Sequence, residues 1–246
     1  MTNTIYQPQT ISEIVFGNDE SRLVIEDIVN GQLPFPFGGK TGILLYGAFG
    51  TGKTTLARML PAAIEQGQTG NALSFEADFF GCQQGHSGTV IADTLKKQNK
   101  VLSFNASGKH YYIFDEVDNL SKTAQSGLKT TLNSDRGTFI LTTNNLSQLD
   151  KGVKDRCVLV EMNAATDAEF LPLARRIARD KNVVLSDAEL LTAIAGNNGS
   201  FRNVIYQVFL LALRAVSKKK AAAALTSSVI QQEAKPSFQQ PSNLGE

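Results

Sequence analysis

The sequence has no tryptophan and, among its 246 residues, only two cysteines, two histidines and three methionines. Cys82 and Cys157 cannot build the dense disulfide framework of a small secreted domain, and with His86 and His110 they make no metal-ligand spacing. They read as reduced thiols of the core or of loops. Charge of neither sign prevails: 24 Lys and Arg against 23 Asp and Glu leave a net +1. This excludes a uniformly basic nucleic-acid binder and confines any phosphate contact to a local surface. No apolar run approaches the roughly 20 residues that span a bilayer. The longest, Ile205 to Val216, is interrupted by Gln207 and Arg214, so no membrane contact is expected. Met1 to Thr10 is polar, without a basic stretch ahead of an apolar one, so no signal peptide is expected and the cytoplasm is the expected compartment.

Hydrophobic residues make up 42% of the chain and charged residues 19%, which also excludes a disordered chain, a collagen-like repeat and a coiled coil. Short apolar runs bounded by turn residues predict strands at Gly42 to Tyr46, Ala72 to Phe75, Tyr111 to Phe114, Phe139 to Thr142 and Cys157 to Val160. Between them fall predicted helices at Glu20 to Val29 capped by Asp19, Gly52 to Ile64, Val90 to Lys97, and Lys122 to Leu132 capped by Ser121. Pro61 lacks an amide and is expected to kink or end its helix near Leu60. Strands alternating with helices of this length imply crossover connections and a mostly parallel sheet.

The pattern changes at Asn163. Three amphipathic helical stretches, Asp167 to Asp180, Asp187 to Ala195 and Phe201 to Val216, follow without intervening strands. Beyond Ser217 come three lysines, a run of alanines and a segment rich in Ser, Gln and Pro, read as a frayed helix end and a disordered tail. The expected fold class is α/β: a P-loop parallel sheet between helices over residues 1–163, then a small three-helix lid domain over 164–217 and a tail over 218–246.

Gly47-Ala48-Phe49-Gly50-Thr51-Gly52-Lys53-Thr54, followed by Thr55, matches the phosphate-binding pattern G-x-x-x-x-G-K-[ST] between a predicted strand and a predicted helix. Glycines let successive amides turn toward phosphate oxygens, and the helix N-terminus adds the positive end of its dipole. Lys53 is positioned for the terminal phosphates and the Thr54 hydroxyl for magnesium, so ATP and Mg2+ are the expected cofactors. Tyr111-Tyr112-Ile113-Phe114-Asp115-Glu116 supplies the second half, an apolar strand that delivers two carboxylates. Asp115 is expected to hold the metal and Glu116 to polarise the attacking water, with neighbouring strand positions pointing to opposite sides. That job leaves no general-base role for His86, in a glycine-rich loop, or His110, ahead of the strand.

These residues resemble the AAA+ ATPases, and within them the clamp-loader subunits of replication factor C and phage type. The resemblance covers about Tyr6 to Val208. Tyr6-Gln7-Pro8 is similar to the family's Tyr-Arg-Pro opening, with Gln7 in place of the Arg. Asp115-Glu116-Val117-Asp118, with Ala124, Gln125, Leu128 and Lys129 on the next helix, looks like the clamp-loader version. Phe139 to Asn144 is similar to the sensor 1 strand, which implies that Asn144 bonds the water or terminal phosphate. Asp155-Arg156-Cys157 is similar to the Ser-Arg-Cys motif, which implies that Arg156 enters a neighbouring subunit's ATP site in an oligomer. Gly199-Ser200-Phe201-Arg202 resembles the start of the sensor 2 helix, which gives Arg202 a role at the phosphates.

Two departures bear on this. Asp155 replaces the Ser and is expected to restrain Arg156, and Glu76 to Gly88 contains no Lys or Arg where clamp loaders can carry a DNA-responsive basic residue. The collar domain of clamp-loader subunits is not expected here. The clearest basic cluster, Lys96, Lys97 and Lys100, reads first as a solvated helix end, so contact with DNA stays open. Three readings therefore stand side by side: an oligomeric ATPase acting on a sliding clamp in DNA replication, the same engine acting on a helicase, recombination or transposition complex, and an ATP-dependent binding module with little turnover. The intact Lys53, Asp115 and Glu116 argue against the last.

Overall fold

The computed structural model describes residues 6–83 and 102–233. The predicted helix Val90 to Lys97, His86 and the lysine cluster lie outside them. Among the described residues, five strands form one parallel sheet: β1 (Gly42–Tyr46), β2 (Asp78–Gly81), β3 (His110–Asp115), β4 (Gly137–Thr143) and β5 (Cys157–Glu161). Their order across the sheet is β2-β3-β4-β1-β5. Because the connections cross over, both faces are covered, which explains why the central strands are apolar at successive positions rather than alternating.

Successive residues of the central strands β1, β3 and β4 feed different cores. Ile43 and Leu45 of β1, with Tyr111 and Ile113 of β3, pack on one face against Ile25 and Ile28 of α1 (Asp19–Val29) and Leu56, Leu60 and Ile64 of α2 (Lys53–Thr69). Leu44, Tyr112 and Phe114 pack on the other face against Ala124 and Leu128 of α3 (Lys122–Thr131) and Val153 of α4 (Lys151–Asp155). A third core belongs to the helical part, where Phe170, Ile177, Leu190, Ile194 and Val204 are buried among α5 (Leu171–Asp180), α6 (Asp187–Ile194) and α7 (Phe201–Glu233). Tyr6, ahead of the sheet in sequence, packs into this last core.

Several local expectations are corrected. The cap of α1 is Asn18, whose side chain accepts the Ser21 amide at 2.7 Å, rather than Asp19, which is the first helical residue. The segment Ala72 to Phe75 is not a strand: the amides of Ser74 and Phe75 go to the side chain of buried Asn105 at 3.0 and 3.2 Å, and the edge strand forms instead at Asp78–Gly81. Helix α2 continues through Pro61 to Thr69 and ends at Gly70 in the left-handed region. Pro61 removes one hydrogen bond, while Leu60, Pro61 and Ile64 remain buried along the same face, so packing outweighs the missing amide. Helix α7 does not fray at Ser217; it runs to Glu233 through lysines and alanines, all strong helix formers.

Burial of Glu65 on α2 is compensated in full view of the sheet. Its carboxylate accepts the Tyr111 hydroxyl at 2.8 Å, the Ser107 hydroxyl at 2.6 Å and the Ser107 amide at 2.9 Å, so a buried charge is met by three donors.

Candidate functional site

The chain between β1 and α2 turns sharply because three glycines allow it: Gly47, Gly50 and Gly52 have φ of 140°, 78° and 95°. At Gly47 a side chain would strike the carbonyl of Met162, so the loop lies against the end of β5. The result is a loop at the C-terminal end of the central strand that opens directly into a helix N-terminus. Lys53 is the first residue of that helix and is buried. Its Nζ donates to the carbonyls of Gly47 at 3.0 Å and Ala48 at 2.5 Å, which folds the side chain back over the loop. Burial pulls its ammonium below the usual lysine range, and the nearby carboxylates of Asp118, Asp115 and Glu116 pull the other way.

Asp115 ends β3 beside this loop. Its Oδ1 accepts the Thr54 hydroxyl at 2.8 Å and the Thr142 hydroxyl at 2.7 Å. A hydroxyl and a carboxylate at this distance, beside an anion-binding loop, suit a hard cation that takes most of its other ligands from phosphate and water. Among the described residues no group of three or more His, Cys, Asp and Glu could hold a metal unaided. Thr54 and Asp115 are the residues that would hold it.

Glu116 does not continue the strand. It adopts the left-handed conformation at φ 58° and ψ 52°, a backbone state that costs a non-glycine residue about 1–2 kcal/mol. Its amide donates to the Thr142 hydroxyl at 2.9 Å, and its carboxylate accepts from Asn119 at 3.2 Å. The two acids are therefore separated by a backbone turn, not by the alternation of a strand. Asn119 also donates to the Cys82 carbonyl at 3.3 Å, joining this turn to the edge strand.

A cavity of about 580 Å³ gathers the predicted residues. Phe49 to Thr55, Glu116, Asn144 and Arg202 all line it, with Tyr6, Gln7, Pro8, Ile14 and Val15 forming an apolar and polar wall from the N-terminal segment. Gly47 and Ala48 do not line it; their carbonyls hold Lys53. Asn144 follows β4, at the same end of the sheet as Asp115; its neighbour Asn145 is turned away and accepts from Ser147 at 2.7 Å. Phe49 is 73% exposed at the mouth. The helical part closes the far side: the Phe201 amide donates to the Gly50 carbonyl at 2.9 Å, which fixes the start of α7, and with it Arg202, against the loop.

Arg156 is not in the cavity. It sits at the opposite end of the sheet, where its carbonyl accepts the amides of Thr41 and Gly42 at 3.1 Å. The length of β1, about 16 Å at 3.3 Å per residue, separates it from the loop. Its guanidinium is held by the Asn133 side chain and the Gly152 carbonyl rather than by Asp155, which ends α4 and is exposed. His110 lies at that same far end, opening β3, and so is remote from Asp115. Both cysteines are free and buried. Thr142 and Asn119 are not singled out by the sequence, where nothing sets Thr142 apart from Thr138 and Thr143 on the same strand.

Comparison with known proteins gives this arrangement its relatives. Residues 43–163 match the family described as ATPase family associated with various cellular activities (AAA). The chain is 25% identical over 202 residues to replication factor C small subunit 2 of Pyrobaculum islandicum, covering 81% of this chain and 60% of that protein. It is 28% identical over 203 residues to the small subunit of Natronomonas pharaonis, covering 81% and 58%. Against the large subunit of Methanosarcina mazei it is 26% identical over 212 residues, covering 81% and 32%. The chain spans about three fifths of the length of these small-subunit relatives. A solved structure of a Thermotoga maritima RuvB variant shares the fold, with a TM-score of 0.60 at 18% identity over 82% of this chain and 64% of that one. The chain carries an AAA ATPase domain and is homologous to the small and large subunits of replication factor C.

Proposed function

We propose, from an AAA ATPase domain homologous to replication factor C subunits, that this protein hydrolyses ATP as part of an oligomer and works as a clamp-loader-like subunit in DNA replication. The observation that carries the chemistry is the bond from the Thr54 hydroxyl to the Asp115 carboxylate at 2.8 Å, with Thr54 lining one cavity together with Lys53, Glu116, Asn144 and Arg202. The replication setting rests on the homology. In this reading the Gly47–Thr54 amides and Lys53 receive the phosphates, and Tyr6, Pro8, Ile14 and Val15 offer an apolar wall to the base. Magnesium, when bound, offsets charge on the phosphate oxygens. Glu116 accepts a proton from the attacking water, Asn144 orients that water, and Arg202 meets charge on the terminal phosphate from the lid side. In this reading Arg156, which lies at the other end of the sheet from its own cavity, serves a neighbouring protomer.

The test is steady-state ATP hydrolysis with and without a sliding clamp and primed DNA, with Lys53→Ala as the control. Stimulation by clamp and DNA is the expected result. Turnover that ignores both, joined to capture of a helicase or recombinase, would move the client elsewhere while keeping the ATPase. Nucleotide binding without turnover would leave a binding module.

A further inference from the structure

One hydroxyl on β4 touches both acids of the site. Thr142 Oγ1 donates to Asp115 Oδ1 at 2.7 Å and accepts the Glu116 amide at 2.9 Å. A hydroxyl has one proton to give and two lone pairs, so this donor is committed to the carboxylate and one acceptor position to the amide. Thr54 gives a second proton to the same Asp115 Oδ1. That oxygen is therefore occupied by two donors, which fix the orientation of the carboxylate. At the other contact, Thr142 anchors the amide of a residue in a left-handed conformation, the turn from which the Glu116 carboxylate springs.

We infer that Thr142 is a positioning residue for the ATPase reaction: its single hydroxyl orients the metal-side carboxylate of Asp115 and fixes the backbone that aims Glu116. The inference rests on the ATPase reading above. It does not follow from the strand's own needs. Thr138 is also buried on β4, four residues earlier, and its hydroxyl has no hydrogen-bond partner. A threonine hydroxyl can thus be idle in this strand, and the one at 142 is not. The register explains the difference. Phe114 of β3 lies beside Leu141, so the next position on each strand brings Asp115 level with Thr142.

Thr138 also supplies the control, because the same substitution on the same strand removes a hydroxyl that holds nothing. We expect Thr142→Val, which keeps the branched shape, to lower kcat by about tenfold or more and to raise the magnesium concentration for half-maximal binding of a fluorescent ATP analogue by about tenfold, the low end of the range seen when groups behind metal ligands are lost. Analogue affinity without magnesium is expected to stay at the parent value. Thr142→Ser, with its hydroxyl restored, is expected to recover the parent magnesium dependence, and Thr138→Val to match the parent throughout. Melting temperatures accompany each variant; if Thr142→Val does not fold, Thr142→Ala removes the same hydroxyl and is read in the same way. A parent that hydrolyses ATP and a hydroxyl-free variant with the same rate and magnesium dependence would overturn the role of Thr142 alone. A parent with neither turnover nor magnesium-dependent binding would overturn it together with the ATPase reading.

Discussion

The guanidinium of Arg156 donates through Nε to Oδ1 of Asn133 at 2.7 Å, a bond made entirely within the chain and at the end of the sheet away from Lys53. Both its partners, Asn133 and the Gly152 carbonyl, are neutral. A phosphate offers a stronger, charge-assisted bond, so Arg156 can exchange these contacts for one on a docked neighbour. Arg156→Ala is expected to leave nucleotide affinity of the isolated protomer unchanged while lowering oligomer-dependent hydrolysis by about 10³ or more. Equilibrium binding beside single-turnover hydrolysis in the assembled state checks this, and an assembled variant as fast as its parent removes the trans role.

Glu116→Gln keeps the size and the Asn119 contact but cannot take a proton. Turnover is expected to fall by about 10²–10⁴ with ATP binding retained, the range for loss of a positioned general base. Unchanged hydrolysis would assign the proton to another acceptor.

Gly50 stands where the phosphate loop meets the lid. Its φ is 78°, and a methyl added there would collide with the Ser200 hydroxyl. Gly50→Ala is expected to weaken ATP binding and to lower stability by about 1–2 kcal/mol from backbone strain alone. Isothermal titration and urea unfolding separate the two effects; parent-like values in both would mean that loop and lid part freely.

Burial pushes the thiols of Cys82 and Cys157 up to about 12 from an ordinary value near 9. The unfolded chain releases these protons first, so the stabilising contribution is complete below about pH 9 and is lost as pH rises toward 12. Urea midpoints are expected to fall across that window, and iodoacetamide at pH 8 to modify neither cysteine until urea is added. Rapid labelling of the native protein would contradict the burial of both.

Tyr111→Phe removes one of the three donors that satisfy Glu65 while leaving the ring in place. A loss of about 1.5–3 kcal/mol is expected, the scale for a hydrogen bond to a charged group. Calorimetric melting reads it directly, and an unchanged melting temperature would show that Ser107 suffices.

The parts of this fold that were readable from the sequence are those whose physics is local. A glycine-rich turn between an apolar strand and a helix announces itself in eight residues, and Asp115 and Asn144 fall at strand ends because apolar runs stop there. The edge strand was misplaced by a few residues because its exposed positions carry no continuous apolar run; the more apolar Ala72 to Phe75 drew the assignment instead, although Asn105 takes its amides. Pro61 misled because the rule for an isolated helix ignores a buried face that holds the next two turns. The tie of Thr142 to both acids could not be read at all: it depends on β3 and β4 lying side by side in one register, and the sequence separation of 27 residues contains no trace of it.

Helix α7 begins at the bond between Phe201 and Gly50 and continues for 33 residues, about 50 Å at 1.5 Å per residue. Its first turn lines the cavity and its last lies far from it. A rod pinned at one end converts angle into distance: a tilt of about 10° at the cavity sweeps the other end through roughly 9 Å over that length. The far end of α7 is thus the point of the molecule where a change of angle at the cavity would show largest.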